Sequence, residues 1–578
     1  MIPETATRVP GHVARNSWIA GRRRSVILGL ILLGSLTFNV IGLDWGLPYI
    51  WHTDEKWTQA VRIIQRRTAD PNYFINPHLH IYALAAVMAP AYIVYPGNYF
   101  DFSLYKLIRY TNPAHPRRPF QRLAVRLGRG LSVAVSLLTV FFIYRLGRRD
   151  FDERAGLLGA AYLAVSMGFV NQAHFATLEA TLFLLTVLAL GAFSRLVCDS
   201  ARRHYVMAGL WFGLACSTKY TAGLLLIPLL GAHLFGRGLR SGLSRRGIAD
   251  LAFGGAVSIA AFFATTPYAL IRWRDFWEHG VVFSYKTGTA TGNLLAPVHF
   301  SWPVYFDLLG NIMGWPLFLI AIAGLGWATA RAVNRILPRE ARAGAFVHAL
   351  WIWSFYLILG ISQHHALRFI MPIVPSLALL AGAVTVVAIS STAHVPRRAA
   401  IAGAAAVLLY SIVYTARSDA MMLRDTRYTA GRWLEIHCFP PNDMVDYFAL
   451  DAYLPYFDRP KYQLRPVPLV QDRTRRAEPF DVRARRFLDN ARNPIVDSEF
   501  YYNRFLDPNM RPFFPERVAF YERLLSGTDA GGYRVAQKFT YDNPWWLNPR
   551  PERIAPEVDV FAKPGMIVPC ANDRRLVK

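Results

Sequence analysis

"HLHIYALAAVMAPAYIVYP", residues 78–96, is the stretch on which the topology of this chain turns. It is apolar and long enough to cross a bilayer, yet it opens with two histidines, His78 and His80, and carries two prolines, Pro90 and Pro96. If it crosses, every later loop changes sides; if it lies along the surface or dips in and out, none does. The rest of the chain decides between these.

Of 578 residues, 53% are hydrophobic. A soluble chain of this length would split into several domains with polar surfaces. Here the apolar residues gather instead into runs of roughly 17 to 24, the length that crosses a ~30 Å hydrocarbon core. A β-barrel would show alternating strands of about 10 residues. The pattern predicts an α-helical polytopic membrane protein with about eleven spans, at 25–47, 127–146, 155–172, 176–196, 205–218, 220–236, 249–268, 312–332, 345–362, 369–391 and 399–416. The first run follows Arg22-Arg23-Arg24 but is too long, and lacks a small-residue cleavage site, to be a removed signal; it reads as an anchor.

Eleven crossings place 1–24, 145–154, 195–204, 237–247, 331–344 and 392–398 on one side, and these hold 22 Arg. The short loops around 173–175 and 363–368 on the other side hold only Arg368. Cations are retained on the cytoplasmic face, so 78–96 is predicted not to cross. The net charge of +26 is thereby a topology signal. No basic stripe with interleaved aromatics forms a soluble module, which argues against nucleic-acid binding.

The predicted organisation is a cytoplasmic N-terminus (1–24), a membrane domain (25–416) with outer loops 48–126 and 269–311, and an extracytoplasmic C-terminal domain (417–578). In that last part "RYTAGRWLEIH" (427–437) reads as a helix. "DMVDYFAL" (443–450), "NPIVDSEFYY" (493–502), "GYRVAQKF" (532–539) and "EVDVFA" (557–562) read as strands of a small α/β domain. Cys438 and Cys570 lie here and either pair, if this part is extracytoplasmic, or remain free thiols. No repeat, nucleotide-binding motif or catalytic Cys/His signature is present.

Ionisable residues beside membrane spans are costly and so are functional candidates. On this topology Asp54 and Glu55 in "WHTDEKWTQA" (51–60), His174 and Glu179 in "HFATLEATL", Lys219 in "STKYTAG", and His364, His365 and Arg368 in "QHHALRF" all reach the outer side. Each has a plain structural alternative. The acid pair could cap the helix that follows it, Glu179 could pair with His174 or an Arg, Lys219 could snorkel, Arg368 could anchor at the interface, and the histidines could only hydrogen-bond. Together they suit displacement of a lipid-linked phosphate from a sugar. A phosphate leaves without protonation, so the site departs from the two-carboxylate plan of glycoside hydrolases. It needs cations on the departing oxyanion, a task for Lys219 and Arg368. It also needs one carboxylate near the acceptor hydroxyl, a task for Asp54. Glu179 would orient the acceptor or share a divalent cation with Asp54; no other cofactor is called for.

These stretches, with "NPHLHIYAL" (76–84) and "LRFIMPIVP" (367–375), resemble the GT-C superfamily of membrane glycosyltransferases. The similarity is to its polyprenyl-phosphate-sugar branch of protein O-mannosyltransferases and aminoarabinose transferases. The resemblance implies that Asp54 matches the catalytic acid, Glu179 the acid of the second outer loop, and Lys219 and Arg368 the donor-phosphate contacts. It also implies a non-crossing helix in the first loop. The expected activity is inverting transfer of a sugar from a polyprenyl-phosphate donor to a lipid, glycan or protein acceptor, at the outer face of the inner (plasma) membrane. Departures are His174 where relatives have Arg, and Pro77-His78 and Ile75-Asn76 in place of Pro-Pro and Glu-Lys steps, so substrate and metal are not carried over. The rival classes are a transporter or lipid flippase, whose charges would lie near the midplane, and a non-catalytic scaffold.

Overall fold

A helix satisfies its own backbone groups, the condition for carrying apolar residues through lipid, and each of the eleven runs is helical in the computed structural model of the chain. It describes residues 11–47, 51–95, 118–283, 300–362, 365–390, 394–448, 453–455, 462–467, 469, 478–507 and 511–570. Among these, seven helices are long and apolar enough to cross a membrane: Arg122–Asp150, Glu179–Cys198, Arg245–Thr265, Trp315–Val333, Arg339–Leu359, Leu367–Ile389 and Val395–Glu435. The protein is an integral membrane protein.

The other four runs form shorter or broken helices. Residues 25–47 end the Gly11–Val40 helix and finish in turns. Residues 155–172 split into Glu153–Ala164 and Met167–Ala173, because Ser166 takes an extended backbone and its hydroxyl donates to the Tyr162 carbonyl at 2.8 Å. Residues 205–218 lie in Arg202–Cys216. The run 220–236 opens as a 3-10 segment, Tyr220–Leu225, before the Leu226–Arg237 helix, because Lys219 is extended (φ −153°, ψ 133°). The stretch 78–96 forms one helix, Leu79–Val94, of 16 residues with Pro90 inside it. At 1.5 Å per residue it is about 24 Å long, short of a full crossing.

The Val374–Ile389 helix is buried along nearly its whole length, whereas Arg245–Thr265 keeps an apolar, exposed flank that suits lipid. Without a hydrophobic drive between helices in lipid, small residues let backbones approach. A Cβ on Gly159 would lie 2.9 Å from the Leu379 Cα, and one on Gly209 would collide with the Gly254 backbone.

Beyond the last membrane helix, a five-stranded mixed sheet has the order β3-β2-β4-β6-β5, with β2 Met444–Tyr447, β3 Gln463–Pro466, β4 Ile495–Ser498, β5 Arg534–Phe539 and β6 Val558–Ala562. β2 runs parallel to β3 and β4, while β6 is antiparallel to β4 and β5. The 493–502 segment is a strand only to Ser498, and Glu499–Leu506 is a helix. Its Tyr501 and Phe505 recur at helical spacing, and Phe505 stacks on Tyr521 at 5.7 Å between centroids. Strands β1 (His437–Cys438) and β7 (Val568–Pro569) pair antiparallel and are closed by a Cys438–Cys570 disulfide.

This sheet is seated directly on the membrane part. One apolar cluster runs from Trp45, Trp51 and Phe175 through Met421 and Met422 to Val445, Val496 and Val560. Arg427 lies over the Trp51 ring at 4.0 Å and bonds Asp425, which also accepts from Trp45 Nε1 at 3.1 Å. Gly46 turns at φ +69° beneath Trp51, where a Cβ would meet the indole at 2.9 Å.

Candidate active site

The breaks between helices bring the candidate residues to one end of the bundle. Asp54 lies in the turn before the Trp57–Arg66 helix, and its Oδ2 accepts from Arg368 Nη1 in a direct ion pair. Burial opposes ionisation of Asp54, but Arg368, with smaller help from His52 and Lys56, holds its carboxyl far below the usual carboxylate range. Glu179 opens the Glu179–Cys198 helix, and Lys219 Nζ donates to its Oε1 at 3.0 Å. Phe369 joins the two pairs: Lys219 Nζ is 5.3 Å from its ring centroid and the Arg368 guanidinium 5.8 Å. Glu179 also lies within electrostatic reach of Arg368.

Glu55 turns the other way. It does not cap the helix, whose N-cap is Lys56 without a side-chain bond. Arg129 donates Nε to its Oε1 at 2.8 Å and Nη2 to its Oε2 at 3.1 Å, and the Ala176 N–H donates to Oε1 at 3.0 Å. Both carboxylate oxygens of Glu55 are thereby committed to fixing the loop.

The histidines stand apart from the two pairs. His174 Nε2 donates to the Phe38 carbonyl at 2.9 Å, and burial pushes its pKa down to about 4; it does not pair with Glu179. His78 Nε2 meets the Tyr73 carbonyl at 2.8 Å. His80 Nδ1 meets Thr181 Oγ1, on the Glu179–Cys198 helix, at 2.9 Å. His365 is partly buried, which lowers its pKa against the opposing pull of Asp507. His364 lies outside the described residues.

Sequence reasoning missed Glu552 and Arg553. They reach the site from the C-terminal part: Glu552 Oε1 is 3.8 Å from Arg368 Nη1, and Arg553 Nη2 is 3.9 Å from Asp54 Oδ2. Gln172 Nε2 donates to Glu552 Oε2 at 3.1 Å. Arg129 was legible in principle, as a charged residue within an apolar run. Glu552-Arg553 had no comparable signal, since adjacent charges in a polar, Pro-rich tail are ordinary.

No group of three or more His, Cys, Asp or Glu able to hold a metal comes together among the described residues. Asp54 and Glu179 are each neutralised by a side-chain cation. The residues present therefore make two ion pairs, not a divalent-cation cage. Chemically, the arrangement offers two cations for an anion and one partly open carboxylate for a proton.

Residues 121–267 match the family model "dolichyl-phosphate-mannose-protein mannosyltransferase". No curated protein matches the chain by sequence. The oligosaccharyltransferase of Archaeoglobus fulgidus, solved with a tethered acceptor peptide, is 14% identical, with a TM-score of 0.50 over 92% of this chain and 75% of that one. ArnT from Cupriavidus metallidurans, solved with undecaprenyl phosphate, is 16% identical, with a TM-score of 0.47 over 92% and 97%. With the family-model match in its membrane part and this architecture throughout, the chain is a protein of the GT-C membrane glycosyltransferase fold.

Proposed function

We propose that the chain is an inverting glycosyltransferase that moves a sugar from a polyprenyl-phosphate donor to an acceptor hydroxyl at the outer face of the inner membrane. The observation that carries this reading is the convergence of the Asp54–Arg368 and Glu179–Lys219 pairs on Phe369. The mannosyltransferase model matched over 121–267 supports a polyprenyl-phosphate donor. Sidedness is supported by the Arg-rich loops at the opposite helix ends and by the Cys438–Cys570 bond, which suits an oxidising compartment. On this reading 1–24 is cytoplasmic, 25–416 is the membrane domain and 417–578 is extracytoplasmic. The acceptor is a lipid, glycan or protein.

In the transfer, the acceptor oxygen bonds to the anomeric carbon on the face opposite the phosphate. The carbon–oxygen bond to phosphate breaks, and its electron pair leaves with the polyprenyl phosphate. Arg368 and Lys219 hold that oxyanion, and Asp54 takes the hydroxyl proton. Glu179 fixes Lys219 and lies beside the acceptor.

The test is Asp54→Asn in the purified full-length protein with a polyprenyl-phosphate sugar. Transfer should fall by about 10²- to 10⁴-fold, as for loss of a general base, while the protein folds normally. Arg368→Ala should raise the donor KM. Unchanged turnover in Asp54→Asn would overturn the assignment of the base.

A further inference from the structure

The C-terminal part does more than sit on the membrane helices. Between β5 and β6 the chain leaves the sheet, descends beside the membrane bundle and returns, and residues 542–555 form a strap along that path. Arg417, in the last membrane helix, donates Nε to Asn543 Oδ1 at 2.7 Å. Tyr410, seven residues earlier in the same helix, donates to the Trp546 carbonyl at 3.0 Å. Seven helical residues are about 10 Å, so the strap descends that far along the helix. Asn311 then clamps it from both sides, donating Nδ2 to the Arg550 carbonyl at 3.0 Å and accepting from the Arg550 N–H at 2.9 Å. Arg550 also pairs with Asp307 at 2.8 Å.

Past Trp546 the strap turns back, with Tyr414 donating to the Asn548 carbonyl at 3.5 Å, and Glu552 and Arg553 lie on this returning limb. The Glu552 N–H donates to Asn171 Oδ1 at 3.3 Å. Arg427 Nη2 donates to the Arg553 carbonyl at 2.8 Å, and the Ala555 N–H donates to Asp425 Oδ2 at 2.8 Å. Arg553 and Ala555 hold left-handed backbones, at φ 65° and 47°. Non-glycine residues take that conformation at a cost and keep it where the surroundings over-determine them. Here the outcome is that two adjacent, oppositely charged side chains face one ion pair. Around it, Asp54, Arg368, Glu552 and Arg553 alternate in sign, with contacts Asp54–Arg368, Arg368–Glu552 at 3.8 Å and Arg553–Asp54 at 3.9 Å. Each side chain keeps some access to solvent, between 14% and 30%.

This arrangement poses a problem for the reaction. Arg368 is to hold the donor phosphate and Asp54 is to accept a proton, yet each occupies the other. We propose that Glu552 and Arg553 are positioning residues of an ion-pair exchange: the donor phosphate draws Arg368 away from Asp54, and Arg553 stays with Asp54 as its counter-ion. The inference rests on the donor reading above and adds to it a role for the C-terminal strap. In this exchange Glu552 competes with the phosphate for Arg368 and so weakens donor binding. Arg553 relieves Asp54 and so strengthens it. The two neighbours act with opposite sign. The other titratable groups that act on Asp54 are His52, which burial keeps from protonating, and Lys56; Glu179 acts on Arg368 but is committed to Lys219, and the adjacent Glu55 is committed to Arg129.

That opposition is the test, and it needs no transfer assay. The full-length protein in nanodiscs is titrated with farnesyl phosphate, and with farnesol as the uncharged control. Glu552→Gln should bind farnesyl phosphate about two- to fivefold tighter, and Arg553→Gln about two- to fivefold weaker, as for partly exposed charge pairs. The double variant should return towards wild type, Arg553→Lys should keep most of the wild-type affinity, and farnesol binding should not move. If Arg553→Gln fails to fold, the tightening in Glu552→Gln decides alone. Equal shifts in one direction, or none, in both single variants would overturn the exchange. If wild type itself does not prefer farnesyl phosphate to farnesol, the donor-site reading fails, and that result is distinct from failure of the exchange.

Discussion

Arg129 grips both carboxylate oxygens of Glu55, and neither side chain is exposed to solvent. Arg129 also donates to the carbonyls of Leu43 and Trp45, at 2.7 and 2.9 Å. One guanidinium thus ties the end of the first membrane helix to the turn that carries Asp54. Arg129→Ala leaves Glu55 charged and unpaired in a buried place, which costs about 3–5 kcal/mol. The expected outcome is a large fall in melting temperature and in folded yield. Glu55→Gln, which keeps the shape and removes the charge, should also destabilise, because Arg129 then becomes the unpaired ion. Wild-type stability in Arg129→Ala would show that the pair does not hold the loop.

The two ion pairs of the site differ in burial, which predicts an order of stability effects. Lys219 and Glu179 are almost fully buried, whereas Arg368 and Asp54 are both partly open. Lys219→Met strands the Glu179 charge and should lower stability by about 3–5 kcal/mol. Arg368→Met removes a partly hydrated pair and should cost about 1 kcal/mol or less. Thermal unfolding of the two variants in one detergent checks the order. The reverse order would mean that Arg368, not Lys219, is the structural cation.

The disulfide gives a direct reading of sidedness. Cys438 and Cys570 are bonded, while Cys198 and Cys216 are free and Cys198 is exposed. In intact spheroplasts, an impermeant maleimide should label the protein only after an impermeant reductant has opened Cys438–Cys570. Cys198, in the Arg-rich segment 195–204, should label only after permeabilisation. The opposite pattern would invert the orientation and move the site to the other face.

The membrane part was legible because its signal is one-dimensional: a helix in lipid needs only a run of apolar residues, and every predicted run is helical. The breaks were not legible, since Ser166 and Lys219 interrupt their helices through backbone conformations that sequence does not mark. Within the site, Asp54, Glu179, Lys219 and Arg368 stood out because charge beside a span is costly. How they pair was not readable, and His174, closest to Glu179 in sequence, bonds the first helix instead. Glu552 and Arg553 lie some 500 residues beyond Asp54 in a polar tail, where charge is cheap and therefore says nothing. Only the fold of the C-terminal part shows that they reach the same ion pair.

That C-terminal part also contains a pH-sensitive pair of acids. Asp497 and Asp559 are direct neighbours on β4 and β6. Burial pushes Asp497 up to about 7, against the Ser498 N–H and Tyr521 hydroxyl that donate to it, at 2.8 Å each. Burial likewise pushes Asp559 up to about 6, with Tyr502 donating at 2.6 Å and Lys538 3.8 Å away on the other oxygen. Both values lie above the ordinary 3.8, so the folded state binds protons more tightly than the unfolded one. The favourable contribution is complete below the unfolded value and is lost as pH rises through about 6 and then about 7. The sheet should therefore be more stable at about pH 5 than at about pH 8 by a few kcal/mol, since each tenfold gain in proton affinity is worth roughly 1.4 kcal/mol. Hydrogen exchange of the β4 and β6 amides, corrected for the intrinsic pH dependence of exchange, measures this. Asp497→Asn, which is neutral at every pH, should flatten the dependence; an unchanged slope in that variant would show that Asp497 titrates normally.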